Sequence, residues 1–80
     1  MKNNVLGTQR SYFAPDGRVL FVGCVDQAYG MFCVVYRDAS RVMRRYLNRQ
    51  LPTGKTIEDV QVFLDIFART YGLSEAVTKN

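Results

Sequence analysis

The hydrophobic positions of this chain change period once, and the change divides it into a β part and an α part. From Arg18 to Val25 the residues Arg-Val-Leu-Phe-Val-Gly-Cys-Val are rich in β-branched and aromatic side chains, which predicts a strand. Met31 to Tyr36, Met-Phe-Cys-Val-Val-Tyr, predicts a second strand. Residues 9–14 allow a short strand ahead of these, and Pro15-Asp16-Gly17 marks a turn after it. Proline presets φ, the aspartate side chain bonds nearby backbone, and glycine supplies the positive φ. Asp26 to Gly30 reads as a hairpin loop, Arg37 to Ser40 as another turn, and residues 1–8 as a loose polar start.

From Thr56 onward the period becomes helical. Ile57, Val60, Leu64, Phe67, Ala68 and Tyr71 form one stripe at 3.6-residue spacing. Thr56 is placed to cap that helix, with Asp59 three residues on in the manner of a capping box. Glu58 and Asp59 sit where the helix dipole favours negative charge. Gly72 follows the last stripe residue as a natural stop, with Leu73 placed for the accompanying apolar contact. The expected architecture is a single α+β domain over 1–80: an antiparallel sheet of three to four strands packed on one C-terminal helix, 56–71.

Residues 41–49 are ambiguous. As a helix, they put Arg41, Arg44, Arg45 and Arg49 on one side and Val42, Met43, Tyr46 and Leu47 on the other, with Asp38 or Ser40 as cap. As a strand, they alternate less well. Periodicity alone prefers the helix.

Alternation also makes both faces of the two central strands apolar. Val19, Phe21 and Val25 oppose Leu20, Val22 and Cys24; Met31, Cys33 and Val35 oppose Phe32, Val34 and Tyr36. One helix covers only one face, so a second cover is expected: the N-terminal segment, a helix at 41–49, a second copy, or a target. Val62 and Ile66, one turn apart and off the main helix stripe, repeat the hint.

Charge sharpens the picture. The chain carries +4 in total. Arg37, Arg41, Arg44, Arg45, Arg49 and Lys55 against Asp38 give 37–55 a net 6 − 1 = +5, so the remainder sums to −1. Arginine forks suit phosphates and carboxylates, and Tyr46 lies among them as a base-stacking candidate.

Gly54-Lys55-Thr56 resembles part of a phosphate-binding loop. That loop needs a glycine five residues before its second glycine, where this chain has Arg49, and Pro52 interrupts the segment. A capped helix after a turn accounts for it. There is no histidine, so the commonest general base is missing and no catalytic pair is visible. Two cysteines, Cys24 and Cys33, are too few for a structural zinc site and read as strand thiols; a disulfide between them is sterically open. The expectation is a binding protein with no cofactor and no metal, not an enzyme. The start shows no apolar signal core, and the longest apolar run, Met31 to Tyr36, is too short to span a bilayer, so a cytoplasmic protein is expected.

Leu51-Pro52, Thr56, Glu58, Asp59, Gln61, Leu64, Asp65, Ala68, Arg69 and Gly72-Leu73 together resemble the ends of small bacterial proteins encoded on phages and conjugative elements. The order of strands and helix also looks like the DNA-binding domains that begin some phage-type integrases. Both likenesses imply a short sheet before the helix and favour an extended 41–47. Together with the apolar excess, the phage-type likeness leads to the expectation of a docking protein of phage or mobile-element type, an inhibitor of a nucleic-acid-handling host-defence machine in the manner of an anti-CRISPR. Phe32, Tyr36, Val62 and Ile66 would then form its apolar contact with a target or a second copy. The alternative is DNA or RNA binding through Arg37, Arg41, Arg44, Arg45, Tyr46, Arg49 and Lys55.

Overall fold

The computed structural model describes residues 9–24 and 30–76. The polar start at 1–8 and residues 26–29 of the loop expected at 26–30 lie outside them. The elements are β1 (Tyr12–Phe13), β2 (Val19–Gly23), β3 (Cys33–Arg37), β4 (Met43–Arg45) and α1 (Ile57–Tyr71). The strands form one antiparallel sheet in the order β1-β2-β3-β4, so the α+β architecture holds. Each strand pairs with its neighbour in sequence, which keeps the loops to be closed short.

The Pro15 turn closes as its chemistry requires. The Ala14 N–H donates to the Arg18 carbonyl at 2.7 Å, and the Arg18 N–H donates to Asp16 Oδ1 at 3.0 Å. Register places Phe21 opposite Val35, Val22 opposite Val34, and Val35 opposite Arg45.

The ambiguous segment forms no helix and holds a strand over Met43–Arg45. The helical periodicity of 41–49 loses because Asp38, the cap that helix would use, closes a hairpin instead. Its Oδ1 accepts the Ser40 and Val42 N–H groups at 2.9 and 3.0 Å, and its Oδ2 accepts Arg44 Nε at 2.6 Å. The turn places Arg41 in the left-handed region at φ 67°. For a residue with a Cβ that conformation costs about 1–2 kcal/mol. Arg41→Gly is therefore expected to raise stability by about 0.5–1 kcal/mol, after the added entropy of the unfolded glycine is counted. A shift in the urea midpoint would show it; a destabilised variant would mean that the Arg41 side chain supports the hairpin.

Helix α1 begins and ends at the expected signals. Thr56 Oγ1 accepts the Asp59 N–H at 3.1 Å, Gly72 takes φ 66° at the C-terminus, and the Leu73 N–H donates to the Ala68 carbonyl at 2.8 Å. Val60, Leu64, Phe67 and Ala68 are buried against Leu20, Val22, Val34 and Leu51. Tyr12, Phe32, Tyr36, Tyr46 and Ile57 pack around them. Tyr71, counted in the stripe, is half exposed and instead donates its hydroxyl to Gln50 Oε1 at 2.7 Å.

The face of the sheet turned away from α1 is less bare than alternation alone implies. Val35 and Cys33 point away from the helix, yet Val35 is fully buried and Cys33 nearly so. The absence of a side chain at Gly23 lets this layer close: a Cβ there would lie 2.9 Å from Val35 Cγ2 and 3.1 Å from Met43 Sδ. Phe21 reaches the same spot. Val35 and Cys33, at the centre of the second face, are thus shielded within the subunit, while among the described apolar residues of its two outer rows Phe13 and Val19 stay exposed and Phe21 and Met43 half-buried. Cys24 is a half-buried free thiol.

Candidate functional site

The basic side chains are delivered by β3, β4 and the turns that follow. Direct cross-strand partners share a face, so Phe13, Val19, Arg37 and Met43 form one row on the face away from α1, and Phe21, Val35 and Arg45 form the next. The Arg37 guanidinium lies 5.5 Å from the Phe21 ring centroid, confirming that the two share that face. Arg37 and Arg45 are exposed. Alternation places no acidic residue in either row.

Of the six basic residues between 37 and 55, Arg44 is the one in an ion pair among the described residues; it belongs to the opposite face and holds Asp38 at 2.6 Å. The hydrogen bond from Arg44, aided by the Val42 and Ser40 amides, keeps the Asp38 carboxyl below the usual carboxylate range and raises Arg44 in turn. The segment's single acid is therefore neutralised inside its own hairpin. Arg37, Arg41, Arg45, Arg49 and Lys55 are exposed and carry no ion pair among the described residues. Arg41 is at the hairpin tip, Arg49 in the turn before Leu51, and Lys55 just ahead of the helix.

Tyr46 does not stand among these cations as a free ring. It lies edge-on to Tyr36 at 6.3 Å and to Phe67 at 6.5 Å, half-buried against the core. Tyr36 and Phe32 are also packed there, and the Arg18 guanidinium covers the Tyr36 ring at 4.3 Å. Val62 and Ile66 are each 53% exposed on the outer side of α1, so the four expected apolar contacts divide between the core and the helix surface.

Gly54 is also engaged. It exchanges two backbone hydrogen bonds with Phe32, at 2.8 and 3.0 Å, extending the β3 edge beyond β4. Thr56 Oγ1 is occupied by the Asp59 amide. The Gly54 N–H is thus unavailable to wrap a phosphate, and Lys55 remains as an exposed point charge.

A buried polar cluster was hidden in the sequence. Gln61, 6% exposed, accepts the Arg10 N–H at 3.2 Å and donates to the Arg10 carbonyl at 3.1 Å and to Asp65 Oδ1 at 3.0 Å. Asp65 further accepts Arg10 at 2.6 Å and the Tyr12 hydroxyl at 2.7 Å. Gln61 and Asp65, four apart beside the apolar stripe, were the available signal; their partners 51 to 55 positions away were not. Burial by itself would raise the Asp65 carboxyl, but the bonds from Arg10, Tyr12 and Gln61 outweigh it and hold it below the usual range. Burial chiefly, then the bond to Asp65, raises the Tyr12 phenol.

A depressed carboxylate stabilises the fold above its unfolded value, about 3.9, and that stabilisation is lost as pH falls through the folded value. A raised phenol stabilises below about 10, and that part is lost at higher pH. Melting temperature against pH is therefore expected to fall at the acid end, and Asp65→Asn to flatten that limb, leaving the part due to Asp38. An Asp65→Asn variant as acid-sensitive as the parent would overturn this assignment.

The cluster staples β1 to the helix, and all its buried polar side-chain atoms are satisfied. Among the described residues no three of His, Cys, Asp or Glu converge as metal ligands, and no helix is long and apolar enough to cross a membrane. Comparison of the chain with family models, with curated proteins and with solved structures finds no match.

Proposed function

We propose that this domain is a non-catalytic nucleic-acid-binding module whose contact surface is the basic sheet face and the β3–β4 hairpin. One observation carries the reading. Arg37 and Arg45 share a face with Phe21 and Phe13, the two rows of described residues on that face include no acid, and the only carboxylate of 37–55 is already held by Arg44. Unpaired, solvated arginines beside aromatic rings suit a phosphate backbone with bases attached. Keeping Arg41 in a conformation that glycine adopts more cheaply agrees with a role for its charge.

The test is a labelled-oligonucleotide titration at two salt concentrations. Binding that weakens steeply with salt supports the reading, because phosphate neutralisation releases counterions. The lack of any binding to DNA or RNA at low salt overturns it.

A second reading is docking on a protein or on another copy of the chain, including the phage-type inhibitor expected from the sequence. Its specific support is the exposed pair Val62 and Ile66 on α1. The shielded centre of the sheet removes much of the apolar area that first suggested it. A salt-insensitive dimer in solution that Val62→Lys dissociates would favour this reading over the first.

A further inference from the structure

Resting on the nucleic-acid reading, we propose that the sheet face takes single-stranded nucleic acid in preference to duplex. Bases would lie against Phe13 and in the hollow beside Phe21, and the phosphate chain would follow Arg37 and Arg45. The two classes of ligand demand different surfaces. A duplex hides the flat faces of its bases and offers edges, which are read by hydrogen-bonding side chains in a groove. A single strand offers the faces themselves, which stack on aromatic rings, and its phosphates need only nearby cations.

This surface suits the second demand. Phe13, on β1, is 44% exposed, and its direct partner Val19 is 37% exposed, so the two form an open apolar ledge. Beside the ledge lies a hollow of about 440 Å³ lined by Ser11, Gly17, Arg18, Val19, Phe21 and Arg37. Its apolar wall is Phe21 and Val19. One of its cations, Arg18, is committed to Asp16 at 3.2 Å and to the Tyr36 ring. The other, Arg37, carries no carboxylate and stands over Phe21. An aromatic wall with one guanidinium above it, held by a single long bond to the Arg41 carbonyl at 3.5 Å and meeting no carboxylate among the described residues, matches one nucleotide, base below and phosphate above. In the two rows of this face, Arg37 and Arg45 are the only side chains able to hydrogen-bond a base edge. That is a meagre set for groove readout.

Fluorescence anisotropy of a short oligothymidylate, alone and annealed to its complement, tests the proposal on the full chain. The strand is expected to bind more tightly than the duplex. Phe13→Ala is expected to weaken strand binding about 5- to 150-fold, the range for losing one stacked base, and to leave duplex binding unchanged. Phe13→Tyr, which keeps the ring, should restore it. Phe13 holds its place in the sheet through backbone bonds, its N–H donating to the Ser74 carbonyl at 2.9 Å, so the truncated variant should melt close to the parent. Equal affinity for duplex and strand, or strand binding indifferent to Phe13→Ala, overturns the single-strand proposal and leaves the nucleic-acid reading standing. Failure of both oligonucleotides to bind overturns the two together.

Discussion

Leu64→Ala is expected to destabilise the domain by about 2–5 kcal/mol, the range for truncating a fully buried leucine. Leu64 has no exposed surface and lies in the core with Leu20, Val34, Leu51 and Val60. A domain of this size has a total stability of only about 4–12 kcal/mol, so the loss is a large fraction of what holds it folded. The cavity term should be large, because β2 and β3 pair across several residues and cannot collapse independently onto the gap. Leu64→Met, which nearly conserves volume, should cost less than about 1.5 kcal/mol. Urea denaturation of the two variants measures the difference. A Leu64→Ala variant within about 1 kcal/mol of the parent would mean that α1 does not seat on the sheet through this side chain.

The largest expected effect on the salt dependence of binding comes from Arg37→Gln combined with Arg45→Gln. Each phosphate contact on a single strand contributes about 0.7 to the salt slope, and on duplex about 0.9. Losing two contacts should therefore lower the slope by about 1.4 on a strand and about 1.8 on duplex. Between 1 M and 0.1 M salt that amounts to about 25-fold and about 60-fold in affinity. The melting temperature should hardly move, because both side chains are exposed and neither is ion-paired among the described residues. Arg44→Gln should behave in the opposite way. It strips Asp38 of its closest partner and disturbs the hairpin, with a smaller effect on the slope. A double variant with the parent's slope would place the phosphate contacts elsewhere, with Arg41, Arg49 and Lys55 next to be tested.

The cluster around Asp65 and the basic face divide the arginines by role. Arg10, Arg18 and Arg44 each meet a carboxylate and fasten a local structure: the β1–helix contact, the Pro15 turn and the β3–β4 hairpin. Arg37, Arg41, Arg45 and Arg49 meet none among the described residues. A net charge of +4 does not distinguish these sets.

Read alone, the chain determined whatever depends on neighbours within a turn or two: the two central strands from their β-branched runs, the Pro15 turn, the helix with its Thr56 cap and Gly72 stop, and the concentration of positive charge in 37–55. Those features carry local free energies, and a local pattern reports them. Tertiary structure decided the rest. It made 43–45 a strand, because Asp38 gains more bonds closing a hairpin than capping a helix. It drew Tyr36, Tyr46 and Phe32 into the core and left Phe13 and Val19 at the rim. It buried Val35 on the face that alternation had left open, and it joined Gln61 and Asp65 to Arg10 and Tyr12 across more than fifty residues. These outcomes depend on which surfaces meet once the strands pair, and that is settled by non-local packing, which no window of sequence contains.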